Sequence, residues 1–263
     1  MGHIKLNTAP NSKRWRKIID LLNDGADAAQ VARATIYATQ RALTNLQDDS
    51  GFRESLQLLV AIGLSGGKTN PADYLRTAGI HLPAQPSITD LALAISQTLD
   101  RRIEQNGKRS DFGTKARNAL IASVVEHVGK GSGLLLDGAG ADAATGLRGL
   151  DKEKAFGEFG RSFFSKLMYG TMDYFLSRTL STHVGEGKRF TTLNQLREFE
   201  RDLRTHCEET SVLVKTYSGQ WLKKNRPKDG GHMPGELTDG FGRWAIEKMR
   251  SDFGPEGKKK HDN

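Results

Sequence analysis

The sequence predicts an all-α protein, a multi-helix bundle in two halves joined by a Gly-rich loop. Apolar residues recur at three- and four-residue steps through most of the 263 residues, and no alternating run predicts a strand. A 37% share of hydrophobic residues allows a sizeable core, whereas a single cysteine excludes a disulfide scaffold. The predicted domains are 1–128 and 150–252, with a flexible loop at 129–149 and a disordered basic tail at 253–263.

Six helices are predicted in the N-terminal half, each from an apolar stripe or a capping signal. Asn70 followed by Pro71 is a helix cap with proline in the first turn, which opens a short helix. Ser87 with Asp90 three residues later forms a capping-box-like start for the next one. The predicted ranges, in chain order, are about 12–23, 26–46, 52–64, 71–78, 88–103 and 111–128.

The segment 129–149 holds seven glycines and almost no charge. It is predicted to be a loop, because glycine at that density costs too much backbone entropy in a regular element. The longest helix is expected at about 151–182, and its aromatic residues make it the predicted central core helix of the second half. Further helices are predicted from the cap at Thr192 to about residue 222 and, after a loop at 225–240, over about 239–251.

The formal net charge is +8, and the basic excess lies at both ends of the chain and in residues 101–130. Such patches favour a polyanion such as RNA or DNA, or an acidic protein surface. Solvated lysine-rich tails are the alternative that the sequence leaves open. The densest basic run surrounds a tryptophan that could stack on a base, although a lone tryptophan on a short amphipathic helix is more often a packing anchor. The predicted nucleic-acid-binding residues are Lys13, Arg14, Trp15, Arg16, Lys17, Lys258, Lys259 and Lys260.

Targeting signals are not found in the sequence. No run of about 18 apolar residues predicts a transmembrane helix. The N-terminus lacks the apolar segment of a signal peptide, and Leu6 stands where a myristoylation signal has serine or threonine. We therefore expect a cytoplasmic protein with no membrane partner, and the sequence leaves a homo-oligomer open.

The usual cofactor and metal motifs fail on their spacing. Gly63 and the Gly-Lys-Thr at 67–69 suggest a phosphate-binding loop, but only three residues separate the two glycines, where the motif needs four. The seven histidines form no two-histidine helical pair, and Cys207 has no cysteine partner. The sequence therefore predicts no cofactor and no metal, with Cys207 as a buried apolar residue.

A catalytic alternative comes from residues 201–206, with the sequence RDLRTH. This string resembles the Arg-polar-x-x-x-His motif of the HEPN ribonucleases, which are all-helical, usually dimeric, metal-independent enzymes that cut RNA. The resemblance implies that His206 transfers a proton and that Arg201 steadies the phosphate, as cleavage by an RNA 2′-hydroxyl requires. Residues five apart on a helix lie about 140° apart, so convergence needs a kink or a second subunit.

A second resemblance rests on residues 174–178, 183–185, 189–190, 206–207 and 221, with the sequences YFLSR, HVG, RF, HC and W. Together they resemble a family of uncharacterised bacterial helical proteins. Proteins of this kind are often accessory subunits in mobile-element and phage-defence operons. We therefore expect a non-enzymatic bacterial interaction or nucleic-acid-binding subunit that acts with partner proteins of the same operon, and the resemblance implies a role in antiviral defence. The alternative is the ribonuclease.

Overall fold

The computed structural model describes residues 13–45, 48–131 and 142–253. In these ranges the chain forms twelve helices and two isolated bridges but no strand of a sheet, so the all-α prediction is confirmed. The helices are α1 Lys13–Asn23, α2 Ala28–Ala38, α3 Gln40–Asn45, α4 Ser50–Ser65, α5 Pro71–Thr77, α6 Ile88–Asn106, α7 Asp111–Gly131, α8 Ala143–Leu147, α9 Glu153–Thr182, α10 Leu193–Thr210, α11 Val212–Asn225 and α12 Gly235–Asp252.

The predicted helix starts agree with the observed caps. Asn70 caps α5, with Pro71 in the first turn. Ser87 and Asp90 form a reciprocal capping box at α6, in which each side chain accepts from the other residue's backbone N–H. Local hydrogen bonds of side chains with orphan backbone groups thus fix where these helices begin.

Helix α9 lies at the centre of the bundle and packs against α2, α7, α10 and α11. Its five phenylalanine side chains are buried, as the sequence predicts, whereas its two tyrosines are half-buried. Helix α11 approaches especially closely, because a Cβ at Gly157 would lie 2.6 Å from the Lys215 carbonyl oxygen and one at Gly160 would lie 2.7 Å from Ser218 Oγ. The two glycines therefore let the helix backbones meet.

Buried side chains from both predicted halves form one continuous cluster. The ring centres of Phe241 on α12 and Phe156 on α9 lie 6.4 Å apart, and Gly242 of α12 packs against Leu56 of α4. Among the described residues, the buried cluster therefore spans both predicted domains, 1–128 and 150–252. Short connections and a shared apolar face on α4 bring elements from both halves together.

The predicted loop at 129–149 differs from the structure at both ends. Helix α7 continues to Gly131, and α8 is a short helix with Ala143 and Leu147 buried. Gly146 lets α8 meet the α7 backbone, since a Cβ there would collide with the Val128 carbonyl oxygen. Residues 132–141 lie outside the described residues.

The predicted tail also differs at its first residue. Phe253 is only 1% exposed, so the core extends one residue past the predicted end of the second half. The rest of that tail, with Lys258, Lys259 and Lys260, lies outside the described residues.

Candidate functional site

Helix α1 carries its basic and apolar residues on opposite faces. Trp15, Ile18 and Leu22 are buried against the bundle. At 100° per residue, the four cations at 13, 14, 16 and 17 occupy an arc of about 160° on the other side. All four of these residues are exposed. The sequence-predicted basic run is therefore a solvent-facing surface, which we call the α1 basic face: Lys13, Arg14, Arg16 and Lys17.

The charges of the α1 basic face are not neutralised by neighbours. None of the ion pairs between described residues involves these four side chains. Arg14 lies 4.1 Å from the centre of the Tyr37 ring and donates a hydrogen bond to the Tyr37 carbonyl oxygen. Tyr37 is itself 58% exposed, so Arg14 brings an accessible aromatic ring to the edge of the basic face.

Trp15 does not belong to this surface, and its prediction as a base-stacking residue is wrong. Its side chain is only 6% exposed, and its ring lies 6.3 Å from the ring of Phe175 on α9. The physical reason is the helical period, which places position 15 with Ile18 and Leu22 rather than with the cations.

The structure places Arg201 and His206 on different faces of α10. Arg201 is exposed, whereas His206 is half-buried with its ring 5.4 Å from Phe253 in an edge-on arrangement. His206 Nε2 is buried and has no hydrogen-bond partner among the described residues. The uninterrupted helix thus lacks the kink that would turn both side chains to one phosphate.

Burial governs the titration of this part of α10. It lowers the pKa of His206, and the nearby charge of Arg33 lowers it further. Burial also raises the pKa of the neighbouring Cys207 thiol far above its usual range. Cys207 is fully buried, as predicted, so its thiol is a packing group and not a nucleophile.

Sequence reasoning missed a groove between α7, α9 and α10, with a volume of about 300 Å³. Three cations, a tyrosine, an amide and one carboxylate line it together with small residues. We call it the α7–α9–α10 groove; its lining residues are Lys115, Asn118, Ala119, Ala122, Ser165, Lys166, Tyr169, Gly170, Arg204 and Glu208. Its members come from three distant segments, so no local motif reveals it.

A partly buried ionic cluster lies at one end of the groove. Lys166 donates to Glu126 Oε2 at 2.5 Å and to Ser162 Oγ at 2.7 Å. Burial alone raises the pKa of Glu126, but Lys166, Ser162 and Lys130 outweigh it and hold this pKa at about 2. The low pKa keeps Glu126 ionised, and its carboxylate engages the side-chain amine of Lys166.

Lys68, in the segment 63–69 that resembles a phosphate-binding loop, makes structural contacts. Lys68 Nζ donates to the Gly230 carbonyl oxygen at 2.5 Å and lies 4.8 Å from the centre of the Tyr74 ring. Tyr74 in turn donates through its hydroxyl to the Gly231 carbonyl oxygen. These contacts link the segment that precedes α12 to α5. They also engage Lys68, the lysine that a bound nucleotide would need.

Within the described ranges, no group of three metal-binding side chains could hold an ion, and no helix is long and apolar enough to cross a membrane. The chain matches no family model, and no curated protein or solved structure shows significant similarity to it. The two resemblances drawn from sequence strings therefore stay predictions, and the case for function rests on the residues themselves.

Proposed function

We propose that this chain is a non-enzymatic nucleic-acid-binding subunit that contacts phosphate groups with the α1 basic face. The observation that carries the proposal is the exposed arc of four cations on a helix whose opposite face is buried. Because the helix is anchored, the cations are presented in a fixed arrangement. This reduces the ordering cost that free tails would have on binding.

The chemistry of the face favours the nucleic-acid backbone over the bases. Lysine and arginine contacts to phosphate position a protein on nucleic acid but do not read its sequence. The Cα atoms of positions 13 to 17 span about 6 Å along the helix axis, at 1.5 Å per residue. The face is therefore short, and we expect affinity without marked sequence preference, of the order of non-specific binding, with a Kd of about 10⁻⁴ to 10⁻⁶ M.

Assembly with other proteins completes the proposal. Four phosphate contacts give modest affinity, and linkage to further binding modules would raise it without any new contact on this chain. This is how an accessory subunit of a larger complex binds, and the sequence resemblance described above suggests the same role. Proteins encoded in the same operon are the partners we propose.

The test compares two variants that lose equal charge. The first replaces Lys13, Arg14, Arg16 and Lys17 with alanine and lowers the formal net charge from +8 to +4. The control does the same with four other exposed cations, namely Lys154, Lys224, Lys228 and Arg243. Fluorescence anisotropy with labelled single-stranded RNA and duplex DNA in low salt measures the affinity, and circular dichroism checks that both variants fold.

We expect the first variant to lose most of its affinity and the control variant to keep most of it. Equal losses would show that net charge matters and the α1 basic face does not, which contradicts the proposal. A wild type that binds neither probe in low salt also contradicts it and would direct attention to a protein partner. Metal-independent cleavage of the RNA that His206→Ala abolishes would establish the ribonuclease instead.

A further inference from the structure

We propose that the α7–α9–α10 groove binds a small molecule that carries a phosphate group, about the size of a mononucleotide. This site is separate from the α1 basic face and goes beyond the proposed function. Three features of the groove point to such a ligand: its charge, the shape of its floor and the ring of Tyr169 beside it.

Two cations of the groove have no carboxylate partner among the described residues. Lys115 interacts with the ring of Tyr174, 5.8 Å from its centre, and Arg204 lies 4.8 Å from the centre of the Tyr169 ring. No ion pair between described residues involves either side chain. An arginine without a carboxylate partner suits two-point recognition of a phosphate.

The third cation is fixed in place. Lys166 is held by its bonds to Glu126 and Ser162, so its charge lies at one end of the groove in a defined position. Glu126 balances the charge of Lys166, so Lys115 and Arg204 face the single lining carboxylate of Glu208 and leave an excess of one positive charge. An anion is therefore the ligand class that the groove attracts most strongly.

The floor of the groove is open because Gly170 has no side chain. A Cβ at this position would lie 3.5 Å from Lys115 Cδ, an ordinary contact. Packing thus does not require glycine here, in contrast to Gly157 and Gly160 of the same helix. The missing side chain leaves room beside the half-buried ring of Tyr169, where the organic part of a ligand would lie.

The size of the groove limits the ligand. Its volume of about 300 Å³ is at the lower end of the range for small-molecule sites. Small residues, Ala119 and Ala122, form the apolar part of the lining next to the charged groups. A phosphate with one compact ring system fits this combination, whereas an extended polymer does not.

Isothermal titration calorimetry on the full chain tests the proposal with the four ribonucleoside 5′-monophosphates as probes. Inorganic phosphate and the four uncharged nucleosides serve as comparisons. We expect at least one monophosphate to bind more tightly than both its nucleoside and phosphate alone. Arg204→Gln and Lys115→Gln should each weaken that binding about tenfold or more, as loss of a charge-assisted hydrogen bond does.

Two further variants separate the groove from other causes. Gly170→Leu fills the floor and should abolish binding, whereas the alanine variant of the α1 basic face should leave it unchanged. If Gly170→Leu fails to fold, the two glutamine variants decide alone, since Arg204 is exposed and Lys115 is only half-buried. No monophosphate binding at millimolar concentration, or binding unaffected by the glutamine variants, would overturn the proposal.

Discussion

Three glycines in α9 have two different structural roles: two allow close helix packing and one leaves space open. Gly157 and Gly160 lie where α11 approaches, and a Cβ at either position would come closer than 3.0 Å to atoms of that helix. Gly170 lies at the floor of the α7–α9–α10 groove, where a Cβ would make an ordinary contact. The same residue type thus has opposite structural consequences within one helix.

This difference predicts opposite effects of alanine. Gly170→Ala should raise the free energy of unfolding by about 0.5 to 1 kcal/mol, because alanine has the higher helix propensity. Gly157→Ala should lower it by about 1 to 3 kcal/mol, because the added methyl group forces α9 and α11 apart. Urea unfolding of the two variants measures both values. A stabilising Gly157→Ala would contradict the observed helix approach.

The half-buried His206 makes stability depend on pH. Burial and the charge of Arg33 lower its pKa below the value of about 6.5 for an unfolded chain. The unfolded state therefore takes up a proton more readily, and stability falls as the pH drops through about 6.5 toward the folded-state pKa. Burial lowers the pKa of His127 as well, so both residues contribute in the same direction.

Urea unfolding between pH 8 and pH 5 tests this assignment. The free energy of unfolding should decrease over this range, and His206→Leu should make the decrease smaller. His81→Asn is the matched control, because His81 is exposed. If the His206→Leu variant keeps the full pH dependence of the wild type, the imidazole is accessible to protons in the folded state and our description of its environment is wrong.

At the scale of an element, α1 shows what the helical period reveals from sequence. The spacing of the cations and of Ile18 and Leu22 predicts an amphipathic helix, and the structure confirms its range. The chain neighbours of Trp15 suggest base stacking, whereas its place on a short amphipathic helix favours a packing anchor, and its burial agrees with the anchor. Positions 15, 18 and 22 share one side of the helix and anchor it.

We therefore predict that Trp15 matters for stability and not for base stacking. Trp15→Ala should lower the free energy of unfolding by about 3 kcal/mol, since it removes a large buried ring. Trp15→Phe keeps an aromatic ring in the core and should preserve both the fold and the affinity for RNA. Anisotropy and urea unfolding of the two variants give these values. A folded Trp15→Phe with greatly weakened binding would restore the stacking role.

Other helix boundaries show where sequence patterns stop being informative. The predicted helix at 26–46 divides at Thr39 into α2 and α3, and the predicted stripe up to residue 222 divides at Ser211 into α10 and α11. Neither break has a glycine or proline. Each turn is stabilised by a side-chain hydroxyl that donates to a backbone carbonyl oxygen one turn earlier. Local spacing continues through both breaks, so tertiary packing decides them.

At the scale of the whole molecule, the apolar stripes predict which face of a helix is buried but not which helix covers it. The burial of α9 follows from its own aromatic residues. The contact of α12 with α4 and the α7–α9–α10 groove depend instead on elements far apart in the chain. For the same reason the glycine-rich segment predicts a division at 129–149, whereas the buried cluster of the described residues includes side chains from both sides of it.

The shared core predicts cooperative unfolding. A variant with Trp221→Phe and Trp244→Phe keeps Trp15 as its one tryptophan, which reports on the N-terminal end of the bundle. Its fluorescence and the far-ultraviolet circular dichroism should give coincident urea transitions, as two-state folding requires. Transitions that differ clearly in midpoint would instead support two independent domains at 1–128 and 150–252.

The central claim is that the α1 basic face contacts nucleic-acid phosphates, and the salt dependence of binding tests it most directly. If all four cations neutralise phosphates of duplex DNA, the logarithm of the association constant should fall with the logarithm of salt concentration with a slope about 3.6 steeper than in the alanine variant, at about 0.9 per contact. The control variant with four other cations removed should keep nearly the wild-type slope. Equal slopes for the wild type and the alanine variant would contradict the claim.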